Sequence, residues 1–140
     1  MKNSSGFSLL ELLIVVAIIL IIATIAIPSL LRSRQAANES AAVATLRTIN
    51  AAQVAYSSSG GNYGTLDDLI KERLLDDAFT GNKAGYKYTV TALGPNYTAE
   101  AVPITGNSGR YGYYSHPDAV VRFSMTASLA PAGQSGRAVN

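Results

Sequence analysis

Gly6-Phe7-Ser8-Leu9-Leu10-Glu11-Leu12-Leu13-Ile14-Val15-Val16-Ala17-Ile18-Ile19-Leu20-Ile21-Ile22-Ala23-Thr24-Ile25-Ala26-Ile27-Pro28 is the stretch on which the reading of the chain turns. Between Phe7 and Ile27 the one charged residue is Glu11, and the rest are apolar or small. That is the composition of a helix crossing the roughly 30 Å hydrocarbon layer of a bilayer. A carboxylate near the centre of such a span costs about 2.5–3.5 kcal/mol on insertion scales, and less toward its ends, so Glu11 needs a physical reason. A short polar leader, Met1-Lys2-Asn3-Ser4-Ser5-Gly6, precedes the run. Were the chain cut after Gly6, Phe7 would carry a free ammonium one helical turn from Glu11, because residues i and i+4 are neighbours on a helix. The cut would create the cation that Glu11 lacks.

Simpler readings explain less. A secretory signal peptide has an apolar core of about 7–15 residues and a small-residue cleavage site. Here the run is longer, and the nearest such site, Thr24-Ile25-Ala26, is poor. A plain membrane anchor accounts for the length but not for Glu11 or its spacing from Gly6. Flanking charge does not orient the span, since Lys2 stands on one side and Arg32 and Arg34 on the other.

Gly6-Phe7-Ser8-Leu9-Leu10-Glu11, followed by an unbroken apolar run and Pro28, resembles the N-terminus of type IV pilins and of the related pseudopilins of type II secretion. The resemblance implies a prepilin that a membrane-embedded prepilin peptidase cuts after Gly6 and N-methylates at Phe7. It further implies that Glu11 pairs with the terminal amine of a neighbouring subunit during assembly, and that Pro28 is a bend in a packed helix. The implied partners are further copies in a helical filament, an inner-membrane assembly platform, and membrane lipid before assembly. The implied location is the bacterial inner membrane as a single-pass precursor, then a surface pilus or a periplasmic pseudopilus. The family often carries a glycine inside the span and a disulfide near the C-terminus. This sequence has neither.

The expected fold class is α+β: a leader at 1–6, a long helix at 7–56 with 7–27 in the membrane or filament core, and a head at 57–140. At 1.5 Å per residue the helix would run to about 75 Å. Ser29 to Tyr56 lacks Gly and Pro, and Val43, Leu46, Ile49, Ala52 and Tyr56 form a stripe at helical spacing, read as a seam against the head. Arg32, Arg34, Glu39, Arg47 and Asn50 fall mostly off that stripe. Ser57-Ser58-Ser59-Gly60-Gly61-Asn62 reads as helix end and flexible loop. Tyr63-Gly64-Thr65 resembles the family's tyrosine, proline and threonine with glycine for proline, which predicts a looser loop. Thr65-Leu66-Asp67-Asp68 has the form of a capping box opening a short helix to about Leu75. Tyr86–Thr91, Tyr97–Val102, Arg110–Tyr114 and Val120–Met125 read as four antiparallel strands, with Gly94-Pro95-Asn96 as a turn. The tail from Ala130 to Asn140 is expected to be mobile.

The chemistry for catalysis is missing. Eleven Lys and Arg against nine Asp and Glu leave +2, or +1 once Lys2 departs, too balanced to point to nucleic acid. No cysteine is present, and His116 is the one histidine, expected in an exposed turn. A triad, a zinc site and a phosphate loop all lack their residues. Asp67, Asp68, Glu72, Asp76 and Asp77 lack calcium-loop spacing, and the first two suit a helix N-terminus. The eight tyrosines suit half-buried sheet positions better than base stacking or electron conduction. The triplets Asn38-Glu39-Ser40 and Asn96-Tyr97-Thr98 match the glycosylation pattern at the level of chance. No enzyme activity, cofactor or metal is expected. The preferred reading is a type IV pilus subunit. A type II secretion pseudopilin is the alternative, disfavoured by the lack of a recognisable calcium loop. An uncleaved single-pass membrane-anchored binding domain ranks below both.

Overall fold

The computed structural model describes residues 6–80, 82–124 and 136–139. The leader before Gly6, Met125 and the tail from 130 to 135 lie outside the described residues. The chain forms two compact units, Met1–Ser33 and Arg34–Asn140. Helix α1, Leu9–Gly60, contributes to both. The rest of the second unit holds α2 (Leu66–Lys71), a 3₁₀ turn (Asp77–Thr80) and six strands. These are β1 (Asn82–Lys83), β2 (Tyr86–Leu93), β3 (Asn96–Pro103), β4 (Gly112–Ser115), β5 (Val121–Ser124) and β6 (Arg137–Ala138). All neighbours are antiparallel and follow chain order, a six-stranded meander. The class is α+β.

Several boundaries differ from the sequence reading for identifiable reasons. Helix α1 starts at Leu9 and runs through the serines that read as loop. The Ser57 and Ser58 hydroxyls donate to the Val54 carbonyl at 3.0 and 2.8 Å, tying the polar residues into the helix. The stop comes at Gly61, whose φ of +73° is the left-handed conformation glycine adopts without a Cβ penalty. Helix α2 is shorter than expected, because Arg73 turns left-handed at φ +56° and the Leu74 and Leu75 amides fold back to the Leu69 carbonyl. Its start agrees with the motif: Thr65 accepts from the Asp68 amide, and the Asp68 carboxylate accepts from the Thr65 amide. Gly94, at φ +57°, and Pro95 make a two-residue hairpin between Leu93 and Asn96. Strand β4 includes Ser115 but leaves out Arg110 and Tyr111. Part of the expected mobile tail is β6, which needs only backbone groups to pair with β5 and is pinned by Val139 N–H to the Val121 carbonyl at 2.8 Å.

The second half of α1 covers one face of the sheet. Val43, Leu46, Ile49 and Ala52 are buried as their spacing predicts, and Tyr56 is half-buried against the same core. Strand β2 alternates Tyr86, Tyr88 and Val90 inward with Lys87, Thr89 and Thr91 outward, and Tyr97, Ala99 and Ala101 of β3 complete the contact. Each fully buried aliphatic side chain contributes about 1.5–3 kcal/mol. Tyrosine predominates in this core, so hydroxyl partners matter. Tyr86 donates to the Tyr111 carbonyl at 2.9 Å and Tyr97 to Asn50 Oδ1 at 2.9 Å. Burial pushes both phenols well above their ordinary range, and that of Tyr113 up to about 12.

Glu39 and Asn50, read as lying off the stripe, are buried. They are compatible with the core because each polar atom finds a partner. Asn50 Oδ1 accepts from Tyr97 and from Ser115 Oγ at 2.6 Å, and its amide donates to the Ala119 carbonyl at 3.2 Å. Glu39 Oε1 accepts from the Arg110 backbone N–H at 2.8 Å and from Nε at 3.1 Å, while Oε2 accepts from Nη2 at 2.9 Å. Gln35 and Asn38 donate to the carbonyls of Gly106 and Ser108, both at 2.8 Å. One polar edge of the helix therefore grips the connection between β3 and β4. Arg32, Arg34 and Arg47 are exposed, as read.

Gly64 corrects the looser-loop expectation. It is buried, its N–H donates to Gln53 Oε1 at 3.0 Å, and its carbonyl accepts from Gln53 Nε2 at 2.6 Å. Proline has no N–H to give, and a Cβ here would meet the Tyr56 ring at 3.0 Å. His116 is half-buried rather than exposed, at 3.3 Å from Thr98 Oγ1 through Nδ1 and edge-on to Tyr114. Nearby, Asp118 accepts from Arg122 Nη2 at 2.6 Å, and this bond holds the Asp118 carboxyl below its ordinary value.

Gly64→Pro is expected to lower unfolding stability in detergent by about 2 kcal/mol, since it strands the buried Gln53 oxygen; denaturant titration followed by tyrosine fluorescence measures it. Because the folded pKa of Asp118 is depressed, its stabilisation is present above the unfolded value near 3.8 and lost as pH falls through the lower folded value. Asp118→Asn is expected to flatten stability against pH below about 4, measured by thermal melts across that range.

Candidate functional site

Among the described residues of the first unit, none is buried. No residue of its most apolar window is buried, and Leu9, Leu13, Ile18, Ile21 and Ile25 are all more than half exposed. Its helix is long and apolar enough to cross a membrane. Folding the chain therefore leaves a large apolar surface uncovered, of the kind that marks contact with protein or lipid. Within it, Thr24 Oγ1 donates to the Ile21 carbonyl at 2.7 Å and Ser33 Oγ to the Ser29 carbonyl at 3.1 Å, so these hydroxyls need no outside partner.

Gly6 precedes the helix and is exposed, and a Cβ on it would meet nothing within 4 Å. Among the described residues nothing packs there that would require a glycine. Phe7 follows with 81% of its surface exposed. Ser8 is the N-cap, for its carbonyl accepts the first helical bond, from the Leu12 amide at 3.2 Å. Glu11 lies in the first turn, and its Oε2 accepts from the Ser8 backbone N–H at 3.0 Å. This is the carboxylate arm of a capping box, and it gives Glu11 a local partner that the sequence reading overlooked. The signal is in the sequence, because Ser8-Leu9-Leu10-Glu11 has the Ser-x-x-Glu pattern whose aspartate form stands at Thr65-Leu66-Asp67-Asp68.

Pro28 sits inside α1, and the helix continues through it. Having no N–H, it leaves out the bond to the Thr24 carbonyl, a weak turn within the apolar run. Among the described residues no group of three or more His, Asp or Glu could hold a metal ion. The acids from Asp67 to Asp77 are mostly exposed, and Asp68 is occupied by Thr65.

The geometry defines a class: a small α+β head and a long helix whose first half is apolar and exposed. Residues 1–27 match the prokaryotic N-terminal methylation motif. Over 63 residues, 45% of the chain and 48% of the relative, the sequence is 43% identical to the type IV wide pilus major component PilA4 of Thermus thermophilus. Over 93 residues, 64% of the chain and 39% of the relative, it is 36% identical to the type IV major pilin protein PilA of Myxococcus xanthus. The matched part thus spans about half or less of each of these relatives. Over these stretches the chain is similar to proteins named as type IV pilus components.

Pro28→Ala restores the missing donor. Amides 29–32 in micelles are expected to exchange more slowly by roughly an order of magnitude or more, read by hydrogen–deuterium exchange.

Proposed function

We propose that the chain is the precursor of a type IV pilus subunit, cut between Gly6 and Phe7, N-methylated at Phe7, and polymerised through its apolar helix half. The observation that carries this reading is the run from Phe7 to Ile27, exposed at every residue except the half-buried Ala23 and headed by a single carboxylate. Lipid covers that run in the precursor. Outside lipid the same surface favours burial against other copies, because apolar area removed from water stabilises the assembly. A repeating contact that does not close on itself produces an open helical filament. Both relatives are named as major pilus components, which supports the pilus over a secretion pseudopilus.

Roles follow residue by residue. Gly6 supplies an unbranched residue to the prepilin peptidase, Phe7 becomes the new terminus, and Glu11 receives the ammonium of a neighbouring subunit. Pro28 loosens the helix where the packed run ends. The precursor resides in the inner membrane and is handed to an assembly platform there.

Mass spectrometry of the N-terminus in material sheared from cells tests the reading. The expected species starts at methylated Phe7, whereas filaments or functional protein retaining the six-residue leader contradict it. A bulky replacement at Gly6 is expected to stop processing. Glu11→Ala or Glu11→Val is expected to be processed yet to enter filaments poorly beside normal subunits, measured as the ratio of variant to wild type in sheared filaments.

A further inference from the structure

We infer that Ser8 is a positioning residue for the assembly carboxylate: its backbone N–H holds Glu11 Oε2 at the start of the helix, leaving Oε1 to take the incoming ammonium. The inference rests on the proposed filament function and adds to it how the carboxylate is prepared for its partner.

The Ser8 N–H to Oε2 bond, at 3.0 Å, is made within one helical turn. It is charge-assisted, and such bonds are roughly twice as strong as neutral ones. Position also favours it, since a negative charge in the first turn meets the positive end of the helix dipole. Among the described residues Oε1 has no hydrogen bond, and a carboxylate can accept at both oxygens. A single anchored oxygen therefore orients the group without exhausting it. Freezing a free glutamate side chain at the moment of assembly would otherwise cost rotamer entropy, and the bond to Ser8 removes much of that loss beforehand.

The arrangement survives maturation. Hydrolysis of the Gly6–Phe7 amide leaves a carboxylate on Gly6 and an ammonium on Phe7, and water supplies the atoms. The Phe7–Ser8 amide, which carries the donor, is untouched. The cut therefore falls one residue before the N-cap, close enough to create a cation at the terminus and far enough to keep the cap. The donor is a backbone group, so side-chain identity at position 8 matters little, with the exception of proline, which has no N–H.

The test compares Ser8→Ala with Ser8→Pro in cells that also make wild-type subunit, scoring incorporation into sheared filaments per cleaved subunit. Ser8→Ala is expected to incorporate like wild type, and Ser8→Pro to fall by about tenfold with helix content unchanged by circular dichroism. In parallel, the Ser8 amide proton of mature protein in micelles is read by nuclear magnetic resonance. It is expected downfield in wild type and shifted upfield in Glu11→Ala, a signature that decides the case even if Ser8→Pro resists cleavage. Wild-type incorporation of cleaved Ser8→Pro, or a Ser8 amide indifferent to Glu11→Ala, would overturn the inference. Failure of the filament reading looks different: wild-type protein would keep its leader while the Ser8 amide signature stayed in place.

Discussion

A helix can satisfy its backbone alone, but it cannot cover its own side chains. Every other feature of this chain depends on how α1 meets that constraint. From Glu39 onward the helix has a partner in the same polypeptide, and Ala42, Leu46 and Ile49 are fully buried beneath the sheet. Before Pro28 the described residues give it none, and nearly every residue from Leu9 to Ile27 stands exposed. The first half thus depends on whatever surrounds it, which under the proposed function is first lipid and then copies of itself. Glu11 fits this dependence. Its bond to Ser8 softens the cost of placing a charge in an apolar run, and its second oxygen remains available.

The head is built to hold the second half of the helix firmly. Apolar contacts fill the centre, while Gln35, Asn38, Glu39, Asn50 and Gln53 bond backbone groups of the loops around the sheet. Fixing loops through side-chain amides and one carboxylate suits a chain with no cysteine, because each bond restrains a segment that a disulfide might otherwise close. Gln53 and Gly64 act as a pair: glycine supplies the N–H and the space that the glutamine and the Tyr56 ring require. The glycine that looked like a relaxed version of a family proline is a tightened one.

What the sequence made legible follows the strength of its periodicity. The apolar run, the stripe from Val43 to Ala52 and the long strands β2 and β3 repeat a pattern over several turns or alternations, the Thr65 cap carries a specific four-residue motif, and the structure agrees with them. Two-residue strands carry no pattern, so β1 and β6 could not be foreseen. The burial of Glu39 and Asn50 was hidden for another reason. A polar residue on a helix is read as exposed unless its partner is known, and Arg110, Tyr97 and Ser115 lie 47 to 71 residues away. At the N-terminus Ser8-Leu9-Leu10-Glu11 carries the Ser-x-x-Glu pattern, so the bond from the Ser8 N–H to Glu11 is legible in the sequence as well.

The central claim is that the exposed apolar half of α1 is covered by other copies of the same half. Because the chain has no cysteine, single substitutions such as Val16→Cys and Ile19→Cys introduce one reactive thiol each. Sheared surface material treated with a short bis-maleimide should then yield covalent dimers and longer ladders with at least one of a set of such positions along the run. Monomer alone at every position, with the thiols open to a water-soluble maleimide, would contradict the claim.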